Sequence, residues 1–246
     1  MASGVSSTEV TLGDKKITFE TGRLAKQASG AVVVRSGDTM VLVTAVVAST
    51  ERNVDFFPLT VDVEAGMYAA GKIPGGFIKK EGRPSDQAIL NARLIDRPIR
   101  PLWPKGFNKE THIVATVLSV DKKNPYDVLA LAGASAALCL SEAPFMGPVG
   151  AVRVAKVDGS WVVNPTYEEI DQSPVNLVVA GTNEAIVQIR VRKNGTLIAK
   201  SEGRGEAQWY SHLEQFSVCR QEATKLAAKK AVLIAVQNLA GQIDSP

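Results

Sequence analysis

Between Gly71 and Pro104 the chain reads GKIPGGFIKKEGRPSDQAILNARLIDRPIRPLWP. Lys72, Lys79, Lys80, Arg83, Arg93, Arg97 and Arg100 stand there against Glu81, Asp86 and Asp96 alone. Over the whole chain 28 Lys and Arg nearly balance 25 Asp and Glu. The excess of cations is therefore local, and local excess is what a polyanion recognises. The planar fork of arginine contacts phosphate oxygens in pairs, so these side chains suit a string of phosphates. Phe77 sits among the cations and offers a ring on which a base can stack. The competing reading is a solvated surface. For Arg93 and Arg97, an ion pair with Asp96 at helical spacing weighs as much as an RNA contact.

Other chemistries find less support. GKIPGG lacks the GxxxxGK[ST] spacing of a nucleotide-binding loop, which argues against an ATPase. His112 and His212 have no Cys or His at ligand spacing, and they read as surface or partly buried histidines. Cys139 lies in the apolar run LALAGASAALCL and reads as a small hydrophobe, while Cys219 is too distant to form a metal pair with it. Asp55, Asp62 and Glu64 read as a solvated strand face. Trp103, Trp161 and Trp209 are scattered, and Trp103 reads as core. The start, MASGVSSTEV, has no basic segment followed by an apolar one and so does not read as a secretory signal. The apolar run Val128 to Leu140 is too short for a bilayer, and no membrane role is expected.

The elements that must hold the basic stretch follow from periodicity. Gly71, Gly75, Gly76 and Gly82 make its first half a loop. Ser85 then reads as an N-cap, and Ala88, Ile89, Ala92 and Ile95 as the apolar stripe of a helix. Arg93, Asp96, Arg97 and Arg100 share the polar face. Pro98 and Pro101 predict a kink or an end near Asp96. Before this stretch come two predicted hairpins, Val10–Leu12 with Ile17–Phe19 and Ala31–Arg35 with Thr39–Val47, then a strand at Pro58–Glu64. After it come a strand at His112–Val120 and a helix at Tyr126–Ser141 with Leu129, Ala132, Ala136 and Leu140 on one face. A hairpin at Val149–Val157 and Ser160–Val163, a short acidic helix at Thr166–Asp171, and strands at Val175–Ala180 and Ala185–Val191 complete this part. Strands lead and helices cover, which predicts an α+β fold with a mixed sheet.

The order of residues carries more than their charge. GKIPGGFIKKEGRP followed by ARLIDRPIRPLWPKGF resembles the first ribonuclease PH-like domain of bacterial polynucleotide phosphorylase, the polyribonucleotide nucleotidyltransferases. VATVLSVD, DVLALAGASAAL, NPTYEE and NLVVAGT continue the resemblance in the same order, over about residues 10–187. The resemblance implies the ribonuclease PH-like version of the ribosomal protein S5 domain 2-like fold, a mixed sheet covered by helices. It implies part of a phosphate-dependent 3′-to-5′ exoribonuclease of mRNA degradation that also runs in reverse as a template-free polymerase. The partners implied are single-stranded RNA, two further copies in a homotrimeric ring, and other RNA-degradation proteins. The setting implied is a bacterial-type cytoplasm, with an organelle as the alternative. RNA contacts are expected from Phe77, Lys79, Lys80, Arg83, Arg93, Arg97 and Arg100. Related proteins often carry Phe-Phe-Arg-Arg where this chain has Phe77-Ile78-Lys79-Lys80, so charge is kept while the bidentate fork is lost.

The same resemblance implies that this part is not catalytic. In the family, inorganic phosphate and Mg²⁺ are held by the second ribonuclease PH-like domain. Its serine-rich phosphate loop corresponds here to Asp121-Lys122-Lys123-Asn124-Pro125-Tyr126, without a serine pair. Its acidic strand corresponds to Pro174–Val179, without a carboxylate, and with Asn176 where first domains often carry Asp. No catalytic residue and no metal ligand is expected in this chain, and neither phosphate nor Mg²⁺ is expected to bind it. Residues 1–9 are expected to be a flexible N-terminus and 10–187 the domain. Residues 188–246 are expected to be a divergent basic hairpin turning at Asn194-Gly195, then a helix from about Gln208 to Leu239 packed on the same domain. A non-enzymatic RNA-binding or ring-assembly subunit is the alternative function.

Overall fold

The computed structural model describes residues 4–12, 15–182, 186–193 and 196–202, and it arranges them as two sheets with a helix between. The first sheet is built from hairpins. Strand β1 (Ser6–Leu12) pairs with β2 (Lys15–Thr21), and β3 (Gly30–Ser36) pairs with β4 (Thr39–Glu51). Strand β1 begins inside the stretch expected to be a flexible N-terminus. Ser6–Glu9 are ladder residues because Val10 and Leu12, buried just beyond them, hold the strand on the core. Strand β5 (Leu59–Glu64) runs parallel to β6 (Lys109–Ser119), while β6 is antiparallel to β4. The order β1-β2-β3-β4-β6-β5 is the expected mixed sheet.

A second, antiparallel sheet was not anticipated. It contains β7 (Gly150–Val157), β8 (Ser160–Val163), β9 (Val175–Gly181), β10 (Ile186–Lys193) and β11 (Thr196–Glu202), in the order β11-β10-β9-β7-β8. The expected basic hairpin is therefore its β10–β11 edge. The proposed turn at Asn194-Gly195 and the expected helix Gln208–Leu239, with Trp209, His212 and Cys219, lie outside the described residues.

Helix α1 (Asp86–Ile99) packs on β5, and α2 (Asp127–Leu140) packs on β3 and β4 on one side and β7 on the other. A helix apolar all round is buried all round. Of the expected face, Leu129, Ala132 and Ala136 are buried and Leu140 is half-buried, and Val128, Leu131, Ala134, Ser135 and Leu138 are buried too. Two glycine positions set the approach. A Cβ on Gly133 would lie 2.6 Å from Val43 Cγ2, and one on Gly30 would lie 2.0 Å from the Ala137 carbonyl oxygen. The short acidic helix α3 (Tyr167–Gln172) starts at a capping box: Thr166 accepts from the Glu169 N–H, and Glu169 accepts from the Thr166 N–H. Among the described residues no helix is long and apolar enough to cross a membrane.

Candidate nucleic-acid interface

The basic loop leaves the first sheet through a 3₁₀ turn, Met67–Ala70, closed by Gly71 in the left-handed region at φ +68°. The Ala69 carbonyl accepts the Val120 N–H at 3.0 Å, which pins this turn to the end of β6. From Gly71 to Ser85 the loop has one side-chain tether to that turn: Glu81 Oε1 accepts the Met67 N–H at 2.7 Å. The rest stands out from the molecule. Phe77 is 101% exposed, and Ile73 and Ile78 are exposed with it. Lys79, Lys80 and Arg83 are exposed and make no ion pair or side-chain hydrogen bond with a described residue. Lys79 takes φ +53°, a turn that L-residues adopt at a cost. An aromatic ring beside unpaired cations on an exposed loop is the arrangement that tracks a single strand without reading its sequence.

The helix after the loop begins as its sequence predicts. Ser85 Oγ accepts the Ala88 N–H at 3.2 Å. It does not end near Asp96. The helix carries Pro98 inside it and runs to Ile99, and a 3₁₀ turn at Arg100–Leu102 follows. A proline within the last turn forfeits one backbone bond only, and the buried Pro98 and Ile99 offset it through packing. The core face is Ala88, Asn91, Leu94, Ile95, Pro98 and Ile99; of the expected stripe, Ala92 is half-buried against the core and Ile89 is exposed, beside β5.

The three helix arginines part company. Arg100 donates to both Asp96 oxygens, at 2.6 and 3.1 Å, and to the Phe57 and Leu59 carbonyls at 3.1 and 3.0 Å. It also lies 5.9 Å from the Phe57 ring centroid. The carboxylate of Asp96 thus serves Arg100 at i,i+4 spacing, where Arg93 and Arg97 had been considered. Arg97 is half-buried and already engaged. Arg93 is exposed and has no ion-pair partner among the described residues. Trp103 is core, as its position suggested, within a ring cluster of Phe57, Phe107 and Phe145. His112 Nε2 lies 2.8 Å from Asp62 Oδ2 on the outer sheet face, where Thr116 donates to Glu64 at 3.1 Å. Cys139 is half-buried, and burial pushes its thiol up to about 11, which leaves it inert at neutral pH.

The loop before α2, which the resemblance sets against the phosphate loop of the catalytic copy, is organised around Asp121. Asp121 accepts from the Lys123 and Asn124 N–H groups at 2.7 Å each, from Asn124 Nδ2 at 2.6 Å, from Thr39 Oγ1 at 3.0 Å and from the Asp38 N–H at 3.3 Å. Burial pushes its carboxyl up, but these donors together outweigh burial and hold it at about 2. Beside it, Arg153 joins Asp127, at the start of α2, to Asn176 on β9. Asp127 also accepts the Val128 N–H at 2.9 Å. The nearby Tyr167 is 41% exposed, yet the packing around its phenol and then the Asp127 charge raise its pKa. These residues do not suit inorganic phosphate or Mg²⁺. The donors that would cradle an anion already serve a carboxylate, and Asn176 and the ion-paired Asp127 leave no carboxylate pair for a metal. Sequence reading had marked the Asp121 loop and Asn176 as departures from the family. Arg153, which links the two regions, gave no local signal.

Comparison with known proteins bears on the family and the fold. The 3′ exoribonuclease family model for domain 1 matches residues 13–144, and the family's domain 2 model matches residues 147–196. A polyribonucleotide nucleotidyltransferase of Desulforamulus reducens is 57% identical over 181 residues, which is 74% of this chain and 24% of that protein. The polyribonucleotide nucleotidyltransferase of Heliobacterium modesticaldum is 49% identical over 226 residues, covering 92% of this chain and 30% of that protein. The likeness therefore runs past Val187, where the sequence alone had placed its end. The crystal structure of rice (Oryza sativa) Rrp46 superposes with a TM-score of 0.57 at 15% identity, over 98% of this chain and 93% of that one, and speaks for the fold. The chain spans about a quarter to a third of the length of the curated relatives it matches.

Proposed function

This chain belongs to the 3′ exoribonuclease (RNase PH) family, and on that premise we propose that it is the first ribonuclease PH-like part of a polyribonucleotide nucleotidyltransferase acting in mRNA degradation. In the whole enzyme, inorganic phosphate attacks the 3′-terminal phosphodiester and releases a nucleoside diphosphate. The attacking phosphate and Mg²⁺ belong to a second copy of the fold beyond this chain. The part described here guides single-stranded RNA towards that centre and helps to form a trimeric ring in the bacterial-type cytoplasm.

The observation that supports this reading is the loop. Phe77 is wholly exposed beside Lys79, Lys80 and Arg83, none of which is neutralised by a described residue. Arg93 extends the positive surface, while Arg100 is left out of the RNA contacts because its donors are taken by protein acceptors. Salt titration tests it. Changing Lys79, Lys80 and Arg83 to Ala is expected to flatten the log–log salt dependence of single-stranded RNA affinity by about 2 units, at roughly 0.7 per phosphate contact. An unchanged slope overturns the reading.

A further inference from the structure

We propose that the free edge of β5, with the groove beside it, docks an extended segment of a partner protein in which basic and apolar side chains alternate. Among the described residues, strand β5 ends the first sheet and pairs with β6 alone. The Pro58 carbonyl accepts the Thr111 N–H of β6, whereas the Leu59 carbonyl accepts from Arg100 on the other side. Backbone direction alternates along a strand. The N–H and C=O groups of Val61 and Val63 therefore face away from β6, like those of Leu59. Arg100 closes the strand's start, and the next residues present an open row of main-chain donors and acceptors.

A groove of about 430 Å³ follows this edge, between β5 and the flank of α1. One wall is apolar, with Val61, Val63, Ile89 and Ala92. On the outer face the exposed Asp62 and Glu64 line its rim. A strand laid along β5 would send alternate side chains to these two environments. Those towards α1 would meet Val61 and Ile89 and are expected to be apolar. Those on the outer face would meet Asp62 and Glu64 and are expected to be Lys or Arg. A second copy is disfavoured because its β5 would bring its own Asp62 and Glu64 to the same face. On the outer face the same carboxylates disfavour an RNA strand, while Arg93 and Arg100 line the α1 side of the groove. The inference rests on the edge and not on the RNA reading of the basic loop.

The test uses the full chain with two fluorescent peptides of equal length, one alternating valine with lysine and one alternating valine with glutamate, each titrated to about 1 mM. The valine–lysine peptide is expected to bind and to slow hydrogen exchange at the Val61 and Val63 amides, and the glutamate peptide is not. Val61→Pro removes an outward N–H, a change that edge strands tolerate, and is expected to weaken binding about tenfold. Asp62→Lys with Glu64→Lys leaves the backbone intact and is expected to reverse the preference between the peptides. Equal binding of both peptides overturns the proposal, as does binding without protection of the two amides. Protection that rises with the concentration of the chain alone would assign the edge to a second copy. Protection already present in the dilute chain would assign it to the chain's own segment, and protection by an RNA oligonucleotide would assign it to nucleic acid.

Discussion

Asp121 gathers the donors of the loop before α2 onto one carboxylate. Burial raises its carboxyl, but the Asn124 and Lys123 N–H groups, the Asn124 amide and the Thr39 hydroxyl outweigh burial and hold it at about 2 instead of the ordinary 3.8. A depressed carboxyl contributes stability above its unfolded value and loses it as pH falls through its folded one. The contribution of Asp121 is therefore complete above about pH 4 and is lost between about pH 4 and 2. Asp121→Asn is expected to lower the melting temperature at pH 6 and to narrow the gap from wild type as pH is taken towards 2. A gap that stays constant with pH would count against this tie. Phe77 is the opposite case, a large side chain with no internal role. Phe77→Ala is expected to leave the melting temperature unchanged and to weaken single-stranded RNA binding by about 1–3 kcal/mol, the usual effect of losing one stacked base. Calorimetry and anisotropy on the same sample check both halves.

The elements were legible wherever the signal is local. Ser85 gave the start of α1, Thr166 gave the start of α3, and hairpins were read from alternation around turn residues. The end of α1 was not legible, because a proline that usually stops a helix sits here in its final turn, held by burial. Nor was the full burial of α2, since one face of an apolar helix looks much like another until both neighbouring sheets are known. The second sheet was hidden for a related reason: each strand could be read, but the sheet it joins is a long-range choice. Arg153 reaches partners 26 and 23 residues away, a spacing with no sequence signature. The α2 interface makes its own prediction. Gly30→Ala would press a methyl group against the Ala137 carbonyl, with little room for backbone to yield. It is expected to cost about 1–3 kcal/mol or more in urea unfolding. Gly75→Ala, with nothing within 4 Å, is expected to change stability by less than about 0.5 kcal/mol.

At the scale of the whole molecule, the fold of the 3′ exoribonuclease family carries here an Asp121 and an Asp127 already engaged by neighbouring donors. The purified chain is expected to release no nucleoside diphosphate from RNA in phosphate and Mg²⁺. Phosphate-dependent release that survives repurification would overturn the non-catalytic reading of Asp121, Asp127 and Asn176. The placement of α2 reaches further, into how the chain is made. On the ribosome the first sheet is complete once β6 has emerged, yet its face over β3 and β4 is covered by α2, and the far side of α2 by β7. Synthesis from Ser119 to Gly181 takes roughly 3–12 s at about 5–20 residues per second. Through that interval the nascent chain carries Val34, Val43 and Ile113, fully buried in the finished protein, on a half-built surface. Translation speed across the α2 codons thus sets how long this chain must be shielded from its neighbours before it can fold.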